Sequence, residues 1–182
     1  FVPQNFQGEV QKVTLTNTSS SKKDFTFFSF LEWCLWNAED DSSNFQRNFN
    51  TGEVEVEGST LFHKTEYKER RDHFAFYTVN ADIDGYDCDR ESFMGLYNGF
   101  GNPQAVMAGK SNNSKADGWS PIASHSINVS LEAGESKDYV FILGYVENGE
   151  DKWNADGSMK KDKAYAVIEQ FNTAEKADAA LA

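Results

Sequence analysis

The chain has 182 residues, 39% hydrophobic and 25% charged, with a formal net charge of −12 and a pI near 4.6. That length supports one domain with a substantial core and is short for two. The acidity argues against nucleic acid and membrane surfaces as partners, because both call for clustered Lys and Arg.

Taken in chain order, residues 9–17, "EVQKVTLTN", predict a strand and "SSSKK" at 19–23 a turn. Residues 25–36, "FTFFSFLEWCLW", alternate with period two yet carry Phe28, Phe30, Cys34 and Trp36 on the second face. A strand apolar on both faces is covered on both, which places it centrally between two layers. "TGEVEVEGSTLFHKTEY" at 51–67 predicts a hairpin turning at Gly58, and "HFAFYTVN" at 73–80 another strand. "HSINVSLEAGESKDYVFILGYVEN" predicts a strand, an "AGES" turn and a buried strand over 138–147. From Asp162 the period becomes helical, with Ala164, Ile168 and Phe171 on one face, and Thr173 is the predicted N-cap of a second helix. Phe1 without an initiator Met, and a last helix reaching Ala182 without a C-cap, predict a piece of a longer protein. The expectation is a mainly β fold, an antiparallel β-sandwich with a helical C-terminal exit.

Candidate chemistry is sparse. Residues 80–91, "NADIDGYDCDRE", place Asn80, Asp82, Asp84, Gly85 and Glu91 as a calcium loop would, but a strand precedes them and Asp87 stands where that loop needs an apolar residue. They are read as an acidic, solvated loop, against the rival of a calcium-dependent structural domain. Glu32, Asp40, Asp41, Glu53, Glu55 and Glu66 are read as solvated faces. His63, His73 and His125 lack metal-binding spacing, and "HKTEYKERRDH" at 63–73 reads as a salt-laced, exposed strand and loop. No metal and no cofactor are expected. Cys34 and Cys88 make no disulfide framework, so free thiols in a reducing compartment are expected. The most apolar run is too short for a bilayer, no leader is evident, and the sequons at Asn17, Asn112 and Asn128 are read as chance. A soluble, cytoplasmic protein follows.

Gln46 and Arg47 stand between Phe45 and Phe49. Either Arg47 pairs with Asp40 or Asp41 and staples its own loop, or Gln46 and Arg47 grip sugar hydroxyls beside an aromatic surface. Chemistry alone leaves the two even.

"FSFLEWCLWNAEDDSSNFQRNF", "DRESFMGLYNGFGNPQAV" and "GWSPIASHSINVSLEAGESKDYVFILGYVEN" together resemble the N-terminal domain of the cellobiose phosphorylase family, over nearly the whole chain. The resemblance implies a large β-sandwich over 1–160, truncated at its N-terminus, the start of linker helices over 161–182, and a catalytic (α/α)6 barrel that lies outside this chain. It also implies inverting phosphorolysis: phosphate attacks the anomeric carbon while a barrel Asp protonates the leaving glucose. The implied partners are the helical linker and barrel of its own chain, a second subunit in a homodimer, a β-linked disaccharide and inorganic phosphate. Catalytic residues are expected outside this chain, and Gln46 and Arg47 are expected to reach the leaving-sugar subsite of the neighbouring subunit. A free-standing carbohydrate-binding module is the alternative.

Overall fold

The computed structural model describes residues 1–33, 52–65, 72–118 and 120–182. Among them ten strands form two sheets: β1 (Gly8–Thr16), β2 (Lys23–Phe28), β3 (Leu31–Glu32), β4 (Gly52–Glu57), β5 (Thr60–Thr65), β6 (His73–Val79), β7 (Gly85–Asp89), β8 (Asp117–Gly118), β9 (Pro121–Leu131) and β10 (Ser136–Glu147). The larger sheet runs β1-β10-β6-β5-β4-β8 and is antiparallel throughout. In the smaller sheet β9 is central, with β2 and β3 along one edge and β7 along the other. Four helices accompany them: α1 (Arg90–Met94), α2 (Gln104–Ala108), α3 (Asp162–Phe171) and α4 (Ala174–Leu181).

Strand alternation produces three cores. Tyr77, Tyr139 and Phe141 of the large sheet face Ala123, Val129 and Leu131 of β9 across the sandwich, and Phe27 meets Phe141 edge-on at 5.8 Å. The opposite face of the large sheet carries Phe62, Phe74, Phe76, Val140 and Ile142 beneath Ala164 and Phe171 of α3 and Ala177 of α4. Phe1 and Phe6 close that layer against Phe171, and the Phe1 ammonium donates to the Val10 carbonyl at 2.8 Å. On the outer face of the small sheet, Phe93 and Met94 of α1 and Ala105 of α2 cover Ile122, Phe28 and Phe30. A fully buried Phe contributes about 1.5–3 kcal/mol, so both faces of both sheets bear on stability.

The strands, the hairpin turning at Gly58 (φ +59°), the helix from Asp162 and the Thr173 cap stand where the sequence places them. Of the segment 25–36, the described part 25–33 is only partly covered, with Phe25 exposed and Trp33 buried; it lies at an edge of the small sheet, not its centre, and breaks at Ser29. There the Ser29 amide donates to the His125 carbonyl at 3.0 Å, and the Ser29 hydroxyl meets both the His125 amide and its Nδ1. α1 and α2 are additional helices, each of five residues, and α1 begins where Asp89 accepts the Ser92 amide at 2.7 Å. At the β1–β2 corner Asn17 is buried, its Nδ2 donating to the carbonyls of Ser21, Leu131 and Glu132.

Candidate functional site

Gln46 and Arg47 lie outside the described residues, as do Asp40, Asp41, Glu66 and Cys34; the structure describes the residues on either side of segment 34–51. Trp33 and Gly52 bracket 34–51, and both meet the same side chain. Trp33, buried, stacks on the His63 ring at 5.3 Å with 22° between the planes. At Gly52 a Cβ would come 2.1 Å from His63 Cε1, so only glycine lets β4 start this close to the imidazole. Gly52 pairs with Thr65 on one side and Gly118 on the other, so the neighbouring ends of β4, β5 and β8 meet there. The chain therefore leaves at Trp33 and re-enters at Gly52 around one ring.

His63 was expected on an exposed strand; it is fully buried, and burial lowers its pKa to about 4 while the Glu53 backbone acts weakly in the other direction. Neither ring nitrogen makes a hydrogen bond of normal geometry, so the contact with Glu53 is a loose one. His125 is also buried, which lowers its pKa to about 4, but it is hydrogen-bonded: its ring lies 5.0 Å from Tyr77, and its nitrogens meet Ser29 Oγ and the Ser59 carbonyl. Both imidazoles are neutral packing elements at neutral pH.

Glu53 and Glu55, read as solvated, belong to an ionic latch on the helix-covered face of the large sheet. Lys64 lies 2.8 Å from Glu53 and 3.3 Å from Glu55. Lys161, just before α3, bonds both Glu55 and Glu57 and sits 4.6 Å over the Phe62 ring, while Tyr165 bonds Glu57. Burial alone would lower the Lys161 pKa and raise those of Glu55 and Glu57. The hydrogen bonds and opposite charges outweigh it, leaving Lys161 raised and both glutamates lowered. The latch fastens the start of α3 to β4, next to the Trp33–His63–Gly52 base. Glu32 is likewise engaged, by Arg90 at 2.6 Å.

Residues 80–91 are solvated only in part: Asn80, Asp82, Asp84 and Glu91 are exposed, whereas Asp87 and Cys88 are buried. Residues 85–89 are strand, and the polar side chains point to different duties. Asn80 accepts the Val140 amide, Asp84 the Asn128 amide, and Asp89 caps α1. Asp87 is fully buried, accepting from the Asn112 and Ser114 amides and the Ser114 hydroxyl. Among the described residues no group of three or more His, Cys, Asp or Glu could hold a metal ion. Cys88 is free and buried, its thiol pushed up to about 12 by burial and by Asp87. No helix among them is long and apolar enough to cross a membrane.

A sequence profile of the family described as "Glycosyl hydrolase 94, supersandwich domain" matches residues 1–174. The chain belongs to this family. The four-layered arrangement above is thus a supersandwich domain. It is 28% identical over 174 residues to an N,N'-diacetylchitobiose phosphorylase of Vibrio furnissii, covering 93% of this chain and 22% of that protein. It is 30% identical over 176 residues to an N,N'-diacetylchitobiose phosphorylase of Vibrio proteolyticus, covering 91% and 22%. A 3-O-beta-D-glucopyranosyl-beta-D-glucuronide phosphorylase of Paenibacillus borealis is 27% identical over 175 residues, covering 93% and 22%. The supersandwich domain thus spans about a fifth of the length of these relatives.

Sequence reasoning missed Lys161 and Tyr165, because their partners in β4 are over a hundred residues away (|i−j| of 104 to 108). It missed the Trp33–His63 stack because the two rings come from different segments of the chain and meet only through tertiary packing. Gly52 did carry a signal, as a glycine at the head of a strand pattern, where close approach of another group is a standard cause.

Proposed function

We propose that this supersandwich domain is the N-terminal, non-catalytic part of a disaccharide phosphorylase, and that it presents Gln46 and Arg47 to the leaving-sugar subsite of a second subunit in a homodimer. Support comes first from the family match over 1–174 together with relatives named as phosphorylases of disaccharides. The observation that carries the residue assignment is the base at His63. Trp33 and Gly52 fix both ends of the segment bearing Gln46 and Arg47 on one buried ring, at one end of the sandwich. Rigid roots of that kind suit residues that must reach a site completed by another body.

In this reading the catalytic machinery belongs to a helical barrel beyond linker helices that begin with α3 and α4. Phosphate attacks the anomeric carbon opposite the glycosidic oxygen, the C–O bond breaks, and a barrel Asp gives its proton to the departing sugar. Cellobiose is the proposed substrate, yielding α-glucose 1-phosphate and glucose with inversion in the cytoplasm. Arg47 supplies a charged donor and Gln46 an amide to the hydroxyls of the departing glucose.

Arg47→Ala in the full-length enzyme tests this. A charged hydrogen bond to substrate is worth about 1.5–3 kcal/mol, so kcat/KM should fall on the order of ten- to a hundred-fold with melting temperature unchanged. In the synthetic direction the KM for glucose should rise and that for glucose 1-phosphate should hold. A destabilised variant affecting both substrates alike would return Arg47 to stapling its own loop.

A further inference from the structure

Residues 93–109, "FMGLYNGFGNPQAVMAG", contain no Asp, Glu, Lys or Arg, in a chain where 25% of residues are charged. Their apolar side chains are not all gathered inward. Leu96 is 66% exposed, Phe100 62% and Met107 73%, and Tyr97 is wholly exposed. Tyr97 also holds a φ of +63°, the left-handed region that a non-glycine enters at a cost of roughly 1 kcal/mol or more. Backbone strain of this kind is concentrated at functional sites, which makes Tyr97 and its surroundings the place to look for one.

Beside Tyr97 lies a cleft of about 300 Å³, lined among others by Asp89, Arg90, Glu91, Asn98 and Ser120. That volume is at the small end of ligand sites, which run from about 300 to 1,000 Å³. Its floor is held in place: Asp89 caps α1, and Arg90 donates to Glu32 at 2.6 Å while lying 5.7 Å from the centre of the Phe100 ring. Phe100 in turn meets Phe30 edge-on at 5.4 Å, so its ring is supported although largely in solvent.

We propose that the α1–α2 turn and this cleft form a binding site for a neutral oligosaccharide. A pyranose has an apolar C–H face and a belt of hydroxyls. Tyr97 and Phe100 offer rings to the C–H face. Arg90 supplies donors, Glu91 acceptors and Asn98 both, all from the cleft lining. An uncharged turn above them suits an uncharged ligand. Arg90 already pairs with Glu32, but a protein partner lying flat on the rings would bury the Glu91 carboxylate, which would then need a cation of its own. This site does not involve Gln46 or Arg47, and its failure would leave the proposal for those residues standing.

The probes are soluble mixed-linkage β-glucan in native affinity electrophoresis and cellopentaose in titration calorimetry, both with the unmodified chain. The expected result is retardation by the glucan, with affinity for cellopentaose falling at least tenfold in Tyr97→Ala and in Phe100→Ala. Phe25→Ala, which removes an exposed ring on β2, should bind as the unmodified chain does. The melting temperature of Tyr97→Ala should match that of the unmodified chain, since its ring is wholly exposed, while Phe100→Ala and Phe25→Ala should each melt slightly lower without unfolding. Absence of retardation would overturn the proposal, and so would unchanged affinity in Tyr97→Ala. So would sedimentation showing a self-association that Tyr97→Ala abolishes without any glucan binding, which would make the turn a protein-docking face.

Discussion

Replacing Lys161 by Met separates the charge of the latch from its packing, because Met keeps an unbranched stem against Phe62 and loses only the ammonium. Lys161 is 8% exposed, and its partners Glu55 and Glu57 are 28% and 46% exposed. Breaking a buried pair costs about 3–5 kcal/mol and an exposed one about 0–1, so this half-covered triad should lose about 2 kcal/mol at pH 7. For a chain of 182 residues that is a fall of about 4–8 °C in melting temperature. The sign with pH is fixed by the glutamates. Their folded pKa values lie below the ordinary 4.5, so the latch contributes fully above that value and its contribution disappears as pH falls through the folded values. The deficit of Lys161→Met should therefore be largest near neutrality and shrink below pH 4. Circular dichroism melts of both proteins at pH 7 and pH 3.5 measure it. A deficit under 1 °C at pH 7, or one of the same size at both pH values, would refute the electrostatic reasoning.

Two further outcomes follow from the buried base. Gly52→Ala places a methyl 2.1 Å from His63 Cε1 and should destabilise by about 1–3 kcal/mol, with a change in tryptophan fluorescence as the Trp33 stack shifts; an unchanged melt and spectrum would refute it. His63 and His125, ordinarily near 6.5 and here near 4, oppose protonation in the folded state. Their contribution is complete above pH 6.5 and lost as pH falls toward 4, on the order of 3 kcal/mol for each ring. Urea unfolding from pH 7.5 to 4.5 should show this decline and should show it reduced in His125→Gln.

The sheets were legible because their signals are local. Gly58 marks a turn between two period-two runs, and residues 136–147 alternate between two buried faces over a dozen positions. Thr173 announced α4 by cap chemistry alone. α1 and α2 escaped because five residues do not complete enough turns for a 3.6-residue period to register. In segment 25–33 apolar residues on both faces pointed to a central strand, but period-two alternation is the same at the edge and the centre of a sheet. The ionic latch is a tertiary event, and Glu55 and Glu57 look like any solvated pair until Lys161 arrives. At the candidate site Gln46 and Arg47 lie outside the described residues, and the Trp33–His63–Gly52 contacts that border their segment came entirely from packing.

The Asn17 clasp bears on how this protein can be made. Its sequon is read by a glycosylating secretory pathway while the chain is still extended, before Leu131 and Glu132 have been synthesised or have come near. A glycan joined to Nδ2 would remove the donor that closes on three carbonyls and force a bulky, hydrated chain into a buried corner. The sequons at Asn112 and Asn128 are exposed, and a glycan at either would displace at most the single bond from Asn112 Nδ2 to the Ser92 carbonyl. A bacterial cytoplasm is therefore the host that this corner tolerates, and secretion from yeast or insect cells would trap the β1–β2 corner open at the moment it needs to shut.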